Sequence, residues 1–251
     1  MNSNLIVTIM AAGEGKRMNS NIPKVLHHFK GIPMLIRIIK EVLEINPFKI
    51  IIITGKYHIL IKETIQNYIF KENYYKINFI QQISPNGTGD AIKCTLSYYS
   101  DNENVLILNG DMPLIQSNLL KKFINDFSQA KLLVAKLDNP YGYGRILYDD
   151  NDKFIGIKEE KDCNELEKNI DIVNVGIYFF NSLILKKYIP LIDNNNIQNE
   201  YYLTDIVKII RNSKDNIDNN NINTYLLEDE LKYQILGVNT QQELIDLENK
   251  Y

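Results

Sequence analysis

Short apolar runs alternate along the chain with segments whose apolar residues recur at helical spacing. Leu5–Met10 is apolar at nearly every position and runs into small residues and Gly13, as a strand buried in a parallel sheet does. Pro33 then opens a helical stretch, Met34–Ile45, with Leu35, Ile38, Ile39 and Val42 on one face. Ile50–Ile53 predicts a second buried strand closed by Gly55, Tyr57–Ile69 a helix, and Lys76–Gln81 a third strand. After the turn Ser84-Pro85-Asn86-Gly87 come a helix over Thr88–Tyr99 and a strand over Asn104–Leu108. A helix from Ser117 to Phe127 and a strand over Lys131–Leu137 follow. Strand and helix joined by connections of a few residues are the sequence form of right-handed βαβ units. The expected fold is α/β, a Rossmann-like, mostly parallel sheet flanked by helices.

Beyond Asp138 the rhythm changes. Shorter strands are expected at Gly144–Leu147, Phe154–Ile157 and Val173–Phe180, with helical patterns at Tyr202–Arg211 and Thr240–Asn249. No internal repeat and no long linker interrupts the chain. The organisation read from this is a single domain over 1–251, with a core over about 1–228 and a C-terminal helical arm over about 229–251.

Composition narrows the function classes. Hydrophobic residues make up 45% and charged residues 24% of the 251, ordinary globular usage that excludes a wholly disordered or fibrous chain. Lys and Arg number 28 against 31 Asp and Glu, too balanced for a general nucleic-acid or membrane-surface binder. No run approaches the ~18 uncharged apolar residues of a membrane span, and Leu5–Ile9 is too short for a secretory signal. The expectation is a soluble cytoplasmic protein. Cys94 and Cys163 cannot build a disulfide framework. Cys94 is expected to pack within a helix and Cys163 to be exposed. His27, His28 and His58 have no metal-ligand spacing and are assigned no catalytic role. The asparagine runs 194–196 and 219–221 read as compositional bias, the second as a surface loop.

The chemistry gathers after the first strand, where open α/β sheets bind ligands. The segment reads Ala11-Ala12-Gly13-Glu14-Gly15-Lys16-Arg17-Met18, then Pro23-Lys24-Val25-Leu26. Small residues let successive N–H groups approach an anion, Arg17 can fork onto phosphate oxygens, and Lys24 adds a point charge. A Gly-rich turn alone is equally an ordinary tight turn with two surface bases. The arrangement of Arg17 and Lys24 favours phosphate. A dinucleotide-binding loop would need a third glycine where Met18 stands, and a P-loop would need glycine at Met10 and Ser or Thr at Arg17. Asp111, after the fourth strand, could cap the next helix or serve as a hard oxygen ligand for Mg2+.

These motifs resemble the signature of sugar-1-phosphate nucleotidyltransferases, and more closely the uridylyltransferase domain of bacterial N-acetylglucosamine-1-phosphate uridyltransferases. The resemblance continues through Gly87-Thr88-Gly89, Gly110-Asp111-Met112-Pro113-Leu114, Gly142-Tyr143-Gly144-Arg145-Ile146 and Glu200-Tyr201-Tyr202-Leu203-Thr204-Asp205. It implies the nucleotide-diphospho-sugar transferase fold and Mg2+-dependent transfer of uridylyl from UTP to N-acetylglucosamine 1-phosphate. It further implies that Arg17 and Lys24 are catalytic and that Asp111 shares Mg2+ with Asn239. Ala11, Ala12, Gly13, Gln82, Gly87 and Thr88 would bind the nucleotide, and Gly144, Glu159 and Asn174 the sugar. Locally, Asn239-Thr240 also reads as a helix cap and Glu159 as part of a solvated charge run; only the resemblance selects Glu159 over Glu160.

Two departures stand out. Lys16 occupies a place where the family usually has Thr or Ser. The bifunctional relatives continue into a β-helix with acetyltransferase activity, so this chain, ending at Tyr251, is expected to lack acetyl transfer. The alternatives are a pyrophosphorylase for another sugar 1-phosphate or base, such as glucose 1-phosphate or dTTP, and a catalytically silent sugar-nucleotide-binding subunit.

Overall fold

The computed structural model describes residues 2–125, 129–151, 153–213 and 222–251. In chain order the described strands and α-helices begin with β1 (Asn2–Ala11), a two-residue pair β2 (His28–Phe29) and β3 (Ile32–Pro33), then α1 (Met34–Leu43) and β4 (Pro47–Thr54). Next are α2 (His58–Tyr68), α3 (Lys71–Tyr74), β5 (Ile77–Gln81), α4 (Thr88–Lys93), β6 (Asn104–Asn109) and α5 (Ser117–Ile124). The chain continues with β7 (Ala130–Lys136), β8 (Gly144–Tyr148), β9 (Phe154–Lys158), β10 (Ile172–Asn181), α6 (Ser182–Tyr188), α7 (Asp205–Asn212), β11 (Ile222–Leu226) and α8 (Gln241–Lys250). Helices flank a mixed, mostly parallel sheet, as the alternating pattern predicts.

The chain divides into two compact units. The first comprises Met1–Pro85, Ile107–Lys122 and Leu231–Tyr251; the second comprises Asn86–Leu106 and Phe123–Glu230. In the first unit, β1, β4 and β5 are parallel, with Ala11 paired to Thr54 and Thr54 to Gln81. All three strands therefore deliver their carboxyl ends to one edge. Ile50–Ile53 are fully buried because helices cover a parallel sheet on both faces. Leu35, Ile38, Ile39 and Val42 of α1 are also fully buried, the face their spacing predicts. The C-terminal helix belongs to this unit: Leu244 and Leu247 pack with Val238, Met18, Phe29 and Met34.

In the second unit β7 pairs antiparallel with β10 and parallel with β11, and β8 pairs antiparallel with both β10 and β9. Several sequence expectations are corrected here. The helix expected over Thr88–Tyr99 ends at Lys93, and a separate 3-10 turn covers Leu96–Tyr98. Thr95 lies between them, fully buried, its hydroxyl donating to the carbonyl of Ile92 at 2.6 Å, and such back-bonding competes with the helical ladder. The second-half reading missed α6, which Asn181 caps by accepting from the Leu183 N–H at 2.9 Å. Cys163 is buried rather than exposed, its thiol 3.6 Å from the carbonyl of Lys158. The expectations for Phe127 and for the asparagine run 219–221 fall outside the described residues.

Candidate active site

In the first unit the turn after β1 is built so that two cations and two oxygens converge. Gly15 has φ +63°, and a Cβ there would lie 2.6 Å from Cβ of Lys24. A side chain at this position is strained by the left-handed backbone and could fit only if the second motif segment moved away. The single 3-10 turn Lys16–Met18 is pinned by Met18, which is buried in the cluster that also holds α8. Arg17 is thus fixed at its base and exposed at its tip. Its Nη2 donates to Oδ1 of Asn239 at 2.9 Å. Nζ of Lys24 lies 2.5 Å from Oδ2 of Asp111 and donates to the same Asn239 oxygen at 3.1 Å.

The backbone holds Asp111 in place. The N–H of Gly110 donates to the carbonyl of Met10 at 3.0 Å, which docks the turn after β6 onto the end of β1. Val238 N–H donates to the Asp111 carbonyl at 3.0 Å, and Arg37 Nε to the Pro113 carbonyl at 3.2 Å. The first N–H of the following helix, that of Ser117, is taken not by Asp111 but by Glu41 at 2.8 Å. Nor does Asn239 cap α8. Thr240 does so, accepting from the Glu243 N–H, and this leaves the Asn239 amide oxygen to the cations. Glu14 adds a counter-charge, pairing with Lys16 at 3.3 Å and Lys56 at 3.5 Å. The hydrogen bond from Lys16, then the charges of Lys56 and Lys16, hold its carboxyl below the usual carboxylate range.

A second cluster forms within the second unit. Gly144 and Asn174 are cross-strand partners on β8 and β10. A Cβ on Gly144 would lie 3.6 Å from Oε2 of Glu159, so residues 144, 159 and 174 come together from three strands or strand ends. Asn174 is buried, donating to the Tyr178 hydroxyl at 2.8 Å and accepting from Gly176 N–H at 3.2 Å. Glu159 accepts from the Thr204 hydroxyl at 2.8 Å. Its neighbour Glu160 instead pairs at 2.7 Å with Arg145, whose side chain is only 1% exposed. The charge run therefore splits by function: Glu160 neutralises a buried structural arginine, while the bonds just given to Glu159 include no cation. The Tyr201–Thr204 segment ties this acid to the Gly87-Thr88-Gly89 turn. Gly89 N–H donates to the Tyr201 carbonyl at 2.7 Å, and the Leu203 N–H to the Thr88 hydroxyl at 3.0 Å.

A model of the MobA-like NTP transferase domain matches residues 7–158, more than half of the chain. The chain belongs to this family. This NTP transferase is 45% identical over 250 residues to a protein of Acanthamoeba polyphaga mimivirus named as a probable UDP-N-acetylglucosamine pyrophosphorylase, covering 98% of this chain and 95% of the other. It is 43% identical over 207 residues to the bifunctional protein GlmU of Nitratiruptor sp., covering 82% of this chain and 46% of that protein. The transferase thus spans about half the length of its bifunctional relatives. A crystal structure from Bacillus anthracis, described as a putative glucose-1-phosphate thymidylyltransferase in complex with sucrose, superposes with a TM-score of 0.71 at 18% identity, over 98% of this chain and 94% of that one. That likeness establishes the shared fold.

Of the residues singled out from the sequence, Ala11, Ala12, Gly13, Arg17, Lys24, Gln82, Asp111 and Asn239 lie in the first unit of the transferase. Gly87, Thr88, Gly144, Glu159 and Asn174 lie in the second. Sequence reasoning missed Thr204, Arg145 and Glu243. Thr204 occupies the cap position of α7, inside the helix expected over Tyr202–Arg211, yet its side chain makes no capping bond and serves Glu159.

Burial, then the charges of Asp205, Asp162 and Glu200, push the Glu159 carboxyl above its ordinary value of 4.5, and the Thr204 hydrogen bond offsets this only in part. The folded state then binds the Glu159 proton more tightly than the unfolded state, and stability falls as pH rises from 4.5 through the raised value. Glu159→Gln is therefore expected to melt at a higher temperature than wild type at pH 7–8, with the difference closing toward pH 4. Thermal denaturation across this range checks the sign; a variant less stable than wild type at neutral pH would show that the carboxylate is stabilising.

Proposed function

We propose that this NTP transferase transfers uridylyl from UTP to N-acetylglucosamine 1-phosphate, releasing pyrophosphate. The observation that carries the reading is the convergence of Arg17 and Lys24 on the oxygens of Asp111 and Asn239 within 3.1 Å. The names of its relatives support the choice of base and sugar.

The donor set fits a hard divalent cation. One carboxylate and one amide oxygen already share a single cation, the Lys24 ammonium, and Mg2+ favours one or two such ligands completed by phosphates and water. Asp111 and Asn239 would hold the ion, which when bound supplies charge neutralisation between the phosphates of the two substrates.

A phosphate oxygen of the sugar phosphate would form the new bond to the α-phosphorus, and the bond from that phosphorus to the oxygen bridging the α- and β-phosphates would break, this oxygen leaving with pyrophosphate. The attacking oxygen is already anionic near neutral pH, so no side chain need remove a proton. What opposes reaction is repulsion between two anions. Lys24 would exchange Asp111 for the α-phosphate, and Arg17 would hold the departing pyrophosphate; charges fixed in advance cost no reorganisation at the moment of reaction. The N–H groups of Ala11 to Gly13, with Gln82, Gly87 and Thr88, would bind the nucleotide. Gly144, Glu159 and Asn174 would bind the acetamido sugar, Glu159 accepting hydroxyl protons.

The test is pyrophosphate release with Mg2+, crossing UTP, dTTP, CTP and ATP with N-acetylglucosamine 1-phosphate and glucose 1-phosphate. UTP with N-acetylglucosamine 1-phosphate is expected to give the highest kcat/KM. A better rate with another pair would replace the substrate assignment, and binding without turnover for every pair would make the chain a sugar-nucleotide sensor.

A further inference from the structure

Asn239 reaches the cation cluster from a short segment whose two successive backbone N–H groups are both held by acidic residues. Val238 N–H donates to the Asp111 carbonyl at 3.0 Å, and Asn239 N–H donates to Oε2 of Glu243 at 2.7 Å. The Glu243 N–H in turn donates to Oγ1 of Thr240 at 3.1 Å. The pattern is related to a capping box, but the carboxylate reaches one residue further back than the cap. It therefore restrains the residue that carries the amide oxygen rather than the cap itself.

The helix behind this clamp is itself fixed. Leu244 and Leu247 are buried with Met18, the anchor of the turn that bears Arg17. Glu248 accepts from the Lys30 N–H at 2.5 Å, tying α8 to the β2–β3 turn. The Glu243 carboxylate is thus a strut from a seated helix to the peptide of Asn239. With that peptide fixed, the short asparagine side chain has two torsions left, and its oxygen sits 2.9 Å from Arg17 and 3.1 Å from Lys24.

We propose that Glu243 is a positioning residue for this cluster, acting through the Asn239 peptide to aim its side-chain oxygen at the bound cation. The inference rests on the proposed function in taking Asn239 as a metal ligand. Glu243 itself is exposed, so its loss removes one hydrogen bond without opening the core. Thr240 is the control: its alanine variant removes the helix cap but leaves the strut to Asn239 in place.

The experiment counts free Mn2+ by electron paramagnetic resonance in the presence of UTP, for wild type, Glu243→Ala, Glu243→Gln and Thr240→Ala, with melting curves for each. Loss of groups that orient a metal ligand typically weakens metal binding about 10–100-fold. Glu243→Ala is expected to raise the Mn2+ dissociation constant by about tenfold, toward the lower end because the carboxylate acts through a peptide. In turnover the loss should appear at low metal and be recovered at saturating Mn2+, with the KM for sugar phosphate unchanged. Glu243→Gln keeps an acceptor oxygen and should bind Mn2+ nearly as wild type does. Thr240→Ala should lower the melting temperature without moving the Mn2+ constant. Equal Mn2+ constants for Glu243→Ala and wild type, or the same weakening in Thr240→Ala, would overturn the positioning role while leaving the function reading intact. If wild type with UTP binds no Mn2+ at all, the metal assignment itself falls and this inference with it.

Discussion

Asp111→Ala is expected to lower turnover about 10²- to 10³-fold, the loss typical of removing one preorganised charge stabiliser. Its carboxylate lies 2.5 Å from the Lys24 ammonium, at the side-chain cluster of Arg17, Lys24 and Asn239, whereas the Glu243 carboxylate bonds to the backbone N–H of Asn239. The backbone bonds that set the turn, from Gly110 to Met10 and from Val238 to the Asp111 carbonyl, do not involve the side chain and survive the substitution. Both partners of the ion pair retain some exposure, 16% for Lys24 and 19% for Asp111, and Asn239 still accepts from the stranded ammonium. The fold should therefore lose no more than about 1–2 kcal/mol, well below the cost of stranding a fully buried charge. Asp111→Asn, which preserves shape and one oxygen, should be nearly as inactive, because the charge is what offsets repulsion between the substrates. Steady-state pyrophosphate release with a melting curve checks both variants; ordinary turnover in a folded Asp111→Ala protein would place the reacting phosphates elsewhere.

Gly15→Ala should combine a modest loss of stability with a large loss of rate. The backbone at φ +63° costs a residue with a Cβ about 1–2 kcal/mol, and the new carbon would meet Lys24 Cβ at 2.6 Å and its backbone nitrogen at 3.2 Å. Because backbone atoms are among the neighbours, the turn Lys24–Leu26 must move rather than one flexible tip. Displacing a charged group by about 1 Å can cost on the order of 10²-fold in rate, and that is the expected fall in kcat. Gly13→Ala is the contrast. A Cβ there meets nothing within 4 Å, so stability should change by less than about 0.5 kcal/mol, while the KM for UTP rises if the Gly13 N–H faces the nucleotide. Denaturant melts and initial rates on the two variants separate backbone strain from ligand contact. Equal kcat for Gly15→Ala and wild type would mean that Lys24 tolerates the shift.

The parts of the site that were legible in the sequence are those encoded in contiguous segments. The glycines and bases of 11–18 and 23–26, and the Gly110-Asp111 turn, follow buried strands and mark by their order the edge where the phosphate site is proposed. Glu159 and Glu160 show the opposite case. They are adjacent and chemically alike, and nothing local separates them until Arg145, fifteen positions upstream, takes Glu160 while Thr204 donates to Glu159. Asn239-Thr240 likewise offers two side chains suited to one cap, and only α8's own geometry gives the cap to Thr240. The break at Thr95 was illegible for a related reason, since a buried threonine looks the same in a continuous helix as in one it interrupts.

By itself, then, the sequence determined the α/β class, the run of buried strands, the apolar face of α1 and the small residues and bases gathered in the opening loop. These depend on periodicity and on residue types close along the chain, where local sterics and burial act directly. Tertiary structure alone decided which carboxylate is spent on a structural arginine, which residue caps α8, and how Asn239 comes within 3.1 Å of Lys24 across 215 residues. Those outcomes follow from competition among distant groups for a limited number of hydrogen bonds, a competition that exists only once the chain has folded.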